Sequence, residues 1–408
     1  MQDSTFGNLP WEKPFYIIPL LVEQPTWGGS YIATFKNIRE NEVTSRRIGQ
    51  SYELSSQSFV SFMPATVPAY GFATATDLAH PQFVHRPNDI QPLQSLIEQA
   101  PRQILGVNVL RKQSKQNGGA SMADAKMDVL IKFTQAQNNS YQVHVKPGSE
   151  FGKWHAKPES WYFLEKGKAT LGLMPDVKTT YQKRCHEIDD EAQRLSQAVM
   201  SGKLSVADAR LQLTTYINQN HPHNFVNTVW IERGQTVDLS AGGLHHSWET
   251  DDALPRGNVV YEVQLDVMDN ESALRSFDQG SIKDDGKVRT ISIDDYFQAL
   301  DVEPAHNNPA AVLQRPPVTF DQDAQVTKLF DNNYYQTTQI AFNGRYGGLQ
   351  TENQGSFHHL FVQEGRVEVT TDAGRWPLEK GWSLFVPAAV EGYQLNSEVE
   401  SVVLRTRG

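Results

Sequence analysis

The chain has 408 residues, of which 39% are hydrophobic and 21% are charged, and its formal net charge is −10. This is the composition of an acidic, soluble globular protein that can bury a large core and divide into two or three units. Nucleic acid is not an expected partner of such a chain, because no basic run collects enough Lys and Arg to neutralise a phosphate backbone. A small anionic substrate is compatible with it, since local Lys and Arg can override the overall charge.

The cysteine content and the first residues of the chain bear on where the protein works. Cys185 is the only cysteine, so the sequence predicts neither a disulfide framework nor a thiolate metal cluster. The start of the chain has no basic residues followed by an apolar run, and no apolar stretch is long enough to span a bilayer. We therefore expect a cytoplasmic protein without membrane or nucleic-acid partners, either a monomer or a homodimer.

The first 120 residues alternate short strand-like runs with turns and a helix. Leu93, Leu96 and Ile97 have helical spacing, and Pro92 stands where a first helical turn tolerates proline. The polar, Gly-rich segment 113–123 predicts a loop. From residue 128 to residue 174 the pattern is that of successive strands.

The hydrophobic period then changes to that of helices. Cys185, Ile188 and Ala192 recur at steps of three and four residues, and a glycine follows where the helix would end. Ser205 is placed as the N-cap of a second helix, which continues to about residue 217. The sequence therefore predicts a helical insertion at about 176–224, after which strands resume.

The last hundred residues repeat the strand pattern of the earlier part. Segments 159–169 and 357–367 both read as strand, glycine turn and strand. Segments 233–241 and 380–388 both read as a strand that starts at glycine and ends in a corner of small residues. Such a repeat is typical of two copies of a cupin-type jelly roll.

This repeat gives the expected fold and domain division. We predict a mainly β protein with two cupin-type jelly-roll barrels and a helical insertion in the first. The first domain would span residues 1–300, and the second would span residues 301–408.

Four residues of the first barrel have the chemistry of a metal site. Gln142 and His144 are two apart in an alternating run, so a strand there would project both to one face. Glu159 opens the next strand-like run, and His245 ends a distant one. One amide oxygen, two imidazoles and one carboxylate suit zinc or another divalent ion with a position open for substrate or water. His246 competes with His245 for the fourth ligand.

These residues belong to a series of short motifs that resembles the type I mannose-6-phosphate isomerases. The series covers roughly the first three quarters of the chain, in the order of the family. Two segments depart from the family pattern: the residues after His144, and an insertion at 269–272. The matching motifs are Trp-Gly-Gly at 27–29, Ile-Gly-Gln-Ser-Tyr-Glu-Leu-Ser at 48–55, Gln-x-His at 142–144, Lys-x-Glu-x-Trp-Tyr at 157–162, Ala-Gly-x-x-His at 241–245, Glu-x-Gln at 262–264 and Arg-Ser-Phe-Asp at 275–278.

The resemblance implies a function and assigns roles to further residues. It implies a zinc-dependent enzyme, with one Zn²⁺ per chain in the first barrel, that interconverts mannose 6-phosphate and fructose 6-phosphate through an enediolate. Such a reaction needs a cation for the developing oxyanion, a base for the proton and a clamp for the phosphate. Glu262 would transfer the proton, Lys157 and Arg275 would stabilise charge or hold the substrate, and Ser140 and Lys283 would bind the phosphate.

The internal repeat predicts that the second barrel holds no metal. When the two copies are aligned on their glycine turns, Phe357 stands opposite Glu159 and Gly392 stands opposite His245. Two alternatives to the isomerase remain: a related isomerase or epimerase for another sugar or sugar phosphate, and a metal-binding cupin that senses a sugar without turnover. The second alternative requires the metal ligands but not Lys157, Glu262 or Arg275.

Overall fold

A computed structural model describes residues 10–39, 41–62, 72–75, 78, 80–84, 89–116, 124–137, 139–240, 242–247, 251–278, 282–350 and 355–408. The described residues are mainly β-strand, as the sequence predicts. The strands are β1 (Phe15–Ile18), β2 (Leu20–Glu23), β3 (Ile48–Leu54), β4 (Phe59–Ser61), β5 (Phe72–Ala75), β6 (Gln82–Val84), β7 (Gln91–Pro92), β8 (Val129–Ala136), β9 (Tyr141–Val143), β10 (Glu159–Phe163), β11 (Gly167–Leu173), β12 (Val226–Ile231), β13 (Thr236–Asp238), β14 (His245–Ser247), β15 (Asn258–Leu265), β16 (Leu274–Phe277), β17 (Leu313–Gln314), β18 (Val318–Asp321), β19 (Ala324–Asp331), β20 (Gln336–Gln350), β21 (His358–Glu364), β22 (Arg366–Thr371), β23 (Gly374–Glu379), β24 (Ser383–Val386) and β25 (Gly392–Arg407).

The helices are shorter, apart from one pair in the middle of the chain. Among those described, none is both long and apolar enough to cross a membrane. The helices are α1 (Tyr31–Phe35), α2 (Asn41–Thr44), α3 (Leu93–Gln99), α4 (Pro101–Leu105), α5 (Val107–Gln116), α6 (Lys178–Met200), α7 (Val206–Asn220), α8 (Asp269–Ser272), α9 (Ile293–Ala299), α10 (Pro304–Asn307) and α11 (Pro309–Val312), with 3₁₀ turns at Pro10–Glu12 and Pro222–Phe225.

The described residues group into two compact units. The first unit takes those of Met1–Gln135, Tyr261–Asp266 and Pro316–Gly408, and the second takes those of Ala136–Val260 and Val267–Arg315. These units do not coincide with the two domains predicted from the sequence, 1–300 and 301–408. The reason is strand pairing, because β1 lies against β24 and so joins an early strand to the end of the chain. The domain division at residue 300 stays a prediction.

The first unit contains an eleven-stranded sheet. Its order is β18-β19-β20-β25-β21-β24-β1-β4-β7, and β22 pairs with β23 and β25. Gly365 makes the turn between β21 and β22 at a φ of 77°, a conformation that residues with a Cβ rarely adopt. The same unit also holds the neighbouring strands β8-β3-β2-β5-β6 and the last residues of β15.

The second unit contains a five-stranded antiparallel sheet in the order β12-β11-β14-β9-β16. The strands β17, β13 and β10 are neighbours in that order, and the first residues of β15 follow them. Strands β10 and β11 follow each other in the chain and have the predicted strand, turn and strand pattern.

The predicted helical insertion is present as α6 and α7. The Ser205 hydroxyl accepts a hydrogen bond from the Asp208 backbone N–H at 3.1 Å, so it caps α7 as predicted. Cys185 and Ile188 of α6 pack in one core with Tyr141 and Val143 of β9. Since successive side chains of a strand alternate between its faces, Gln142 projects away from the helices.

The predicted loop at 113–123 is described only in part. Helix α5 continues to Gln116, so the first residues of that segment are helical rather than looped. Gln113 is buried there and its amide donates a 2.7 Å hydrogen bond to the Lys126 carbonyl, which extends the helix beyond its apolar pattern. Residues 117–123 lie outside the described part of the chain.

Candidate metal centre

Strand register in the second unit brings three predicted site residues to one sheet face. Gln142 of β9 is the cross-strand partner of His245 on β14 and of Arg275 on β16. Side chains of directly paired residues in an antiparallel sheet lie on the same face. The face that carries Gln142, His245 and Arg275 is therefore the one turned away from the helical insertion.

A buried carboxylate joins two of the predicted histidines. Glu159 opens β10, and its Oε2 lies 3.1 Å from His144 Nε2, while its Oε1 lies 4.0 Å from His245 Nε2. The two imidazole ring centres are 4.9 Å apart. All three side chains are buried, with at most 4% of each exposed. We call His144, Glu159 and His245 the His–Glu–His cluster.

Backbone carbonyls fix the orientation of both imidazoles. His144 Nδ1 donates to the Ser272 carbonyl at 2.8 Å, and His245 Nδ1 donates to the Gly243 carbonyl at 3.1 Å. Because a carbonyl only accepts, each Nδ1 carries a proton, and Nε2 is the atom that each ring turns towards Glu159. Gly243 has a φ of 128°, and a Cβ there would lie 3.0 Å from the His306 carbonyl, so the corner before β14 requires glycine.

The cluster has the composition and size of a divalent metal site. The nearest ligand atoms of its three residues all lie within 4.8 Å of one another. Ligands of a tetrahedral zinc ion, each bound at about 2.0–2.1 Å, are separated by about 3.3 Å. The predicted fourth ligand, Gln142, stands on the same face beside His245, and its coordination of an ion stays a prediction.

The protonation states of the cluster also suit an ion. Burial by itself would raise the pKa of Glu159, but the hydrogen bond with His144 and the charge of Lys157 hold that pKa well below its usual range. Burial lowers the pKa of His245 to about 4. At neutral pH the site therefore offers a carboxylate and a neutral imidazole, which are the forms that bind metals.

His246, the competitor of His245 in the sequence, lies in a different environment. Its Nδ1 is 3.4 Å from the Thr170 hydroxyl, and its ring centre is 4.3 Å from that of Tyr141. Tyr141 belongs to the core beneath the helices. His245, rather than His246, is thus the histidine that faces Glu159.

Two cations lie next to the cluster and share one carboxylate. Lys157 Nζ is 3.7 Å from Glu159 Oε2 and 3.1 Å from Asp269 Oδ1. Arg275 Nη2 is 3.3 Å from Asp269 Oδ2, and its Nε donates to the Ser140 hydroxyl at 3.0 Å. The structure therefore brings the predicted residues Lys157, Arg275 and Ser140 together on the second unit.

Glu262 and Lys283 have contacts of their own. Glu262 belongs to the first unit, where its carboxylate lies 2.8 Å from Lys132 Nζ and accepts a 2.9 Å hydrogen bond from the Thr134 hydroxyl. Lys283 is exposed in the second unit, in a turn closed by a backbone hydrogen bond to the Lys287 carbonyl. The roles of Glu262 and Lys283 stay predictions.

Asp269, Lys132 and Trp161 contact predicted site residues but were not themselves predicted as part of a site. Asp269 lies in the insertion that departs from the family pattern, and nothing in its spacing points to Lys157 and Arg275. Lys132 had a visible signal, because it is a lone charge in the apolar run of β8. Trp161 is part of the Lys-x-Glu-x-Trp-Tyr motif without an assigned role, and its indole N–H donates to Glu159 Oε1 at 2.6 Å.

The fold and the cluster together define the class, a cupin-type β protein with a candidate metal centre. Residues 331–406 match the family model described as mannose-6-phosphate isomerase, cupin domain. A search of curated protein sequences found no match.

Solved structures cover almost the whole chain. The mannose 6-phosphate isomerase from Bacillus subtilis superposes with a TM-score of 0.60 at 16% identity, over 97% of this chain and 99% of that one. A putative mannosephosphate isomerase from Archaeoglobus fulgidus gives 0.57 at 16% identity, over 97% of each chain. A zinc-bound mannose 6-phosphate isomerase gives 0.60 at 13% identity, over 96% of this chain and 98% of that one. The chain therefore has the cupin-type fold of the mannose 6-phosphate isomerases, as the sequence predicts.

Proposed function

We propose that this protein is a metal-dependent isomerase that interconverts mannose 6-phosphate and fructose 6-phosphate through an enediolate. The observation that carries the proposal is the buried His–Glu–His cluster with Lys157 beside it. The likeness of fold to mannose 6-phosphate isomerases, one of them a zinc-bound structure, supports the same function.

The residues present fit one divalent ion per chain, such as zinc. His144, Glu159 and His245 would hold it, with the Gln142 amide oxygen as a fourth ligand. When bound, the ion supplies Lewis-acid polarisation of sugar oxygens and leaves a position open to the substrate. The protein contributes the orientation of these ligands, since both Nδ1 atoms are already held by backbone carbonyls.

Lys157 and Arg275 supply positive charge where the substrate becomes negative. Both side chains are largely buried, so their charges act at lower dielectric than in water. Lys157 would stabilise the developing enediolate, and Arg275 would hold the substrate together with Ser140. In this scheme Ser140 binds the phosphate, and Lys283 is a weaker candidate for the same task.

Glu262 is the proposed proton-transfer group. Moving a proton between carbon 1 and carbon 2 needs a base that is held in one orientation. The Glu262 carboxylate has this property, because Lys132 Nζ pairs with its Oε1 and the Thr134 hydroxyl donates to its Oε2. Lys132 then acts as a positioning residue for Glu262.

A coupled assay for fructose 6-phosphate formation from mannose 6-phosphate tests the proposal. It is run on protein as purified, after chelation, and after zinc is restored. We expect activity that disappears on chelation and returns with zinc. Metal-loaded protein that forms no fructose 6-phosphate would contradict the proposed substrate. It would favour another sugar or a sugar-sensing role, with the segment Asp269–Ser272 as the first to examine.

A further inference from the structure

Trp161 lies beside the His–Glu–His cluster and is buried, with 5% of its surface exposed. It follows Glu159 by two positions on β10, so both side chains project to the same face of the strand. Its ring meets that of His245 edge to face, with ring centres 5.3 Å apart. The sequence offers no distinction between this residue and an ordinary aromatic wall.

A hydrogen bond to the proposed metal ligand Glu159 distinguishes Trp161 from an aromatic residue that only lines the site. The indole N–H donates to Glu159 Oε1 at 2.6 Å. The other oxygen, Oε2, faces His144 Nε2 at 3.1 Å and Lys157 Nζ at 3.7 Å. The two oxygens of one buried carboxylate thus have separate partners.

We propose that Trp161 is a positioning residue that holds Glu159 Oε1, so that Glu159 offers only Oε2 to the ion. This inference rests on the proposed function, because it concerns the same metal centre. An indole nitrogen can only donate, so it cannot compete as a ligand. A hydrogen bond to a buried carboxylate is charge-assisted and is stronger than a neutral one.

The consequence is a reserved coordination position. A carboxylate with both oxygens free can bind an ion through either one or both of them. With Oε1 held by the indole, the second carboxylate oxygen is kept away, and the position it would take is left to the substrate. Partners of this kind typically change metal affinity by about 10–100-fold.

The test is Trp161→Phe, which keeps an aromatic ring against His245 but removes the N–H. The matched control is Trp154→Phe, because Trp154 is equally buried in the same unit and its indole donates to the Asp295 carboxylate at 2.8 Å. Zinc affinity is measured by competition with a chromophoric chelator. The visible spectrum of the Co²⁺-loaded protein is recorded alongside, since its intensity falls when the ion gains a ligand.

We expect Trp161→Phe to bind zinc about 10–100-fold more weakly than the unaltered protein, with a less intense cobalt spectrum. Trp154→Phe should match the unaltered protein in both readouts. Equal zinc affinity for Trp161→Phe and the unaltered protein would overturn the positioning role. Weaker zinc binding with an unaltered cobalt spectrum would overturn the claim that the indole reserves Oε1.

Two further outcomes keep the inference separate from the proposed function. If the unaltered protein binds no zinc, the proposed metal-dependent function fails and the inference fails with it. If Trp161→Phe does not fold, the same readouts are taken with benzothienylalanine at position 161. That side chain keeps the two fused rings and carries sulfur in place of the N–H, and we expect the same loss of zinc affinity.

Discussion

Each compact unit contains buried histidines, and one pair from each unit can be compared: His144 with His245, and His358 with His359. In the second unit, His144 and His245 flank the Glu159 carboxylate, and both Nδ1 atoms donate to backbone carbonyls. In the first unit, His358 and His359 follow each other on β21. His358 Nδ1 is 2.8 Å from the Tyr393 hydroxyl, and His359 Nε2 has no hydrogen-bond partner among the described residues.

The two pairs differ in what they offer a metal ion. Burial lowers the pKa of both His358 and His359 to about 3, so they are neutral, but among the described residues no carboxylate side chain forms an ion pair with either ring. In the aligned repeat, Phe357 takes the place of Glu159. Neutral histidines are thus not sufficient, and a shared carboxylate with both Nε2 atoms facing it is the distinguishing feature. That the second barrel holds no metal stays a prediction.

The largest expected effect comes from removing the carboxylate or one imidazole of the cluster. We expect Glu159→Ala and His144→Ala to lose the bound metal and all isomerase activity, because each removes one of the buried ligands that would hold the ion. The measurements are metal content per chain and the coupled assay. The control is His358→Phe, which should keep one metal per chain. Metal loss in that control would break the comparison between the two histidine pairs.

The next effect separates metal binding from proton transfer. We expect Glu262→Gln to keep its metal and to lose turnover by about 10²–10⁴-fold, the usual contribution of a positioned base. Metal content and kcat are measured on the same sample. The matched control is Glu53→Gln, since Glu53 is also a buried carboxylate of the first unit and pairs with Lys36 at 2.7 Å. Normal turnover by Glu262→Gln would show that another group moves the proton.

A smaller effect concerns the stability of the first unit in acid. The folded state lowers the pKa of His358 from 6.5 to about 3, so protons bind preferentially to the unfolded chain. Stability from this group is therefore complete above about pH 6.5 and falls as the pH drops towards 3, by up to about 1.4 kcal/mol per pH unit. Thermal midpoints between pH 7 and pH 4 should fall less steeply in His358→Phe than in the unaltered protein. Equal slopes would show that His358 is not a buried neutral group.

The smallest effect is expected at the carboxylate shared by the two cations. Asp269 is 65% exposed, and exposed ion pairs contribute only about 0.2–1 kcal/mol. We expect Asp269→Asn to lower kcat/KM by about 2- to 5-fold and to leave the metal in place. The control is Asp285→Asn, an exposed carboxylate that pairs with Lys287 and should leave kcat/KM unchanged. A complete loss of turnover would assign Asp269 a direct part in the chemistry.

Local patterns predicted the strands that carry the site and the helices that support it. Alternation along β9 placed Gln142 and His144 on one face, and the change of period marked α6 and α7 to within a few residues. The glycine turns of the repeat located the successive strands β10 and β11 and the successive strands β21 and β22. These features depend on residues close together in the chain, where period and turn chemistry are informative.

Partners across long separations were not predictable from the sequence. The Ser272 carbonyl that orients His144 is 128 residues away, and Asp269 is 112 residues from Lys157. The pairing of Phe15 with Phe385, which places the early strands with the last ones, is longer still. A sequence pattern gives the face on which a residue lies, whereas its partner on that face depends on strand register.

The central claim is that a metal ion lies on the His–Glu–His cluster and not on the histidines of the other unit. The most direct test is an X-ray structure of the zinc-loaded protein, with anomalous data collected on both sides of the zinc absorption edge. We predict one strong peak per chain, bounded by Nε2 of His144, Nε2 of His245 and Oε2 of Glu159. A peak at His358 and His359, or no peak at the cluster, would contradict the account.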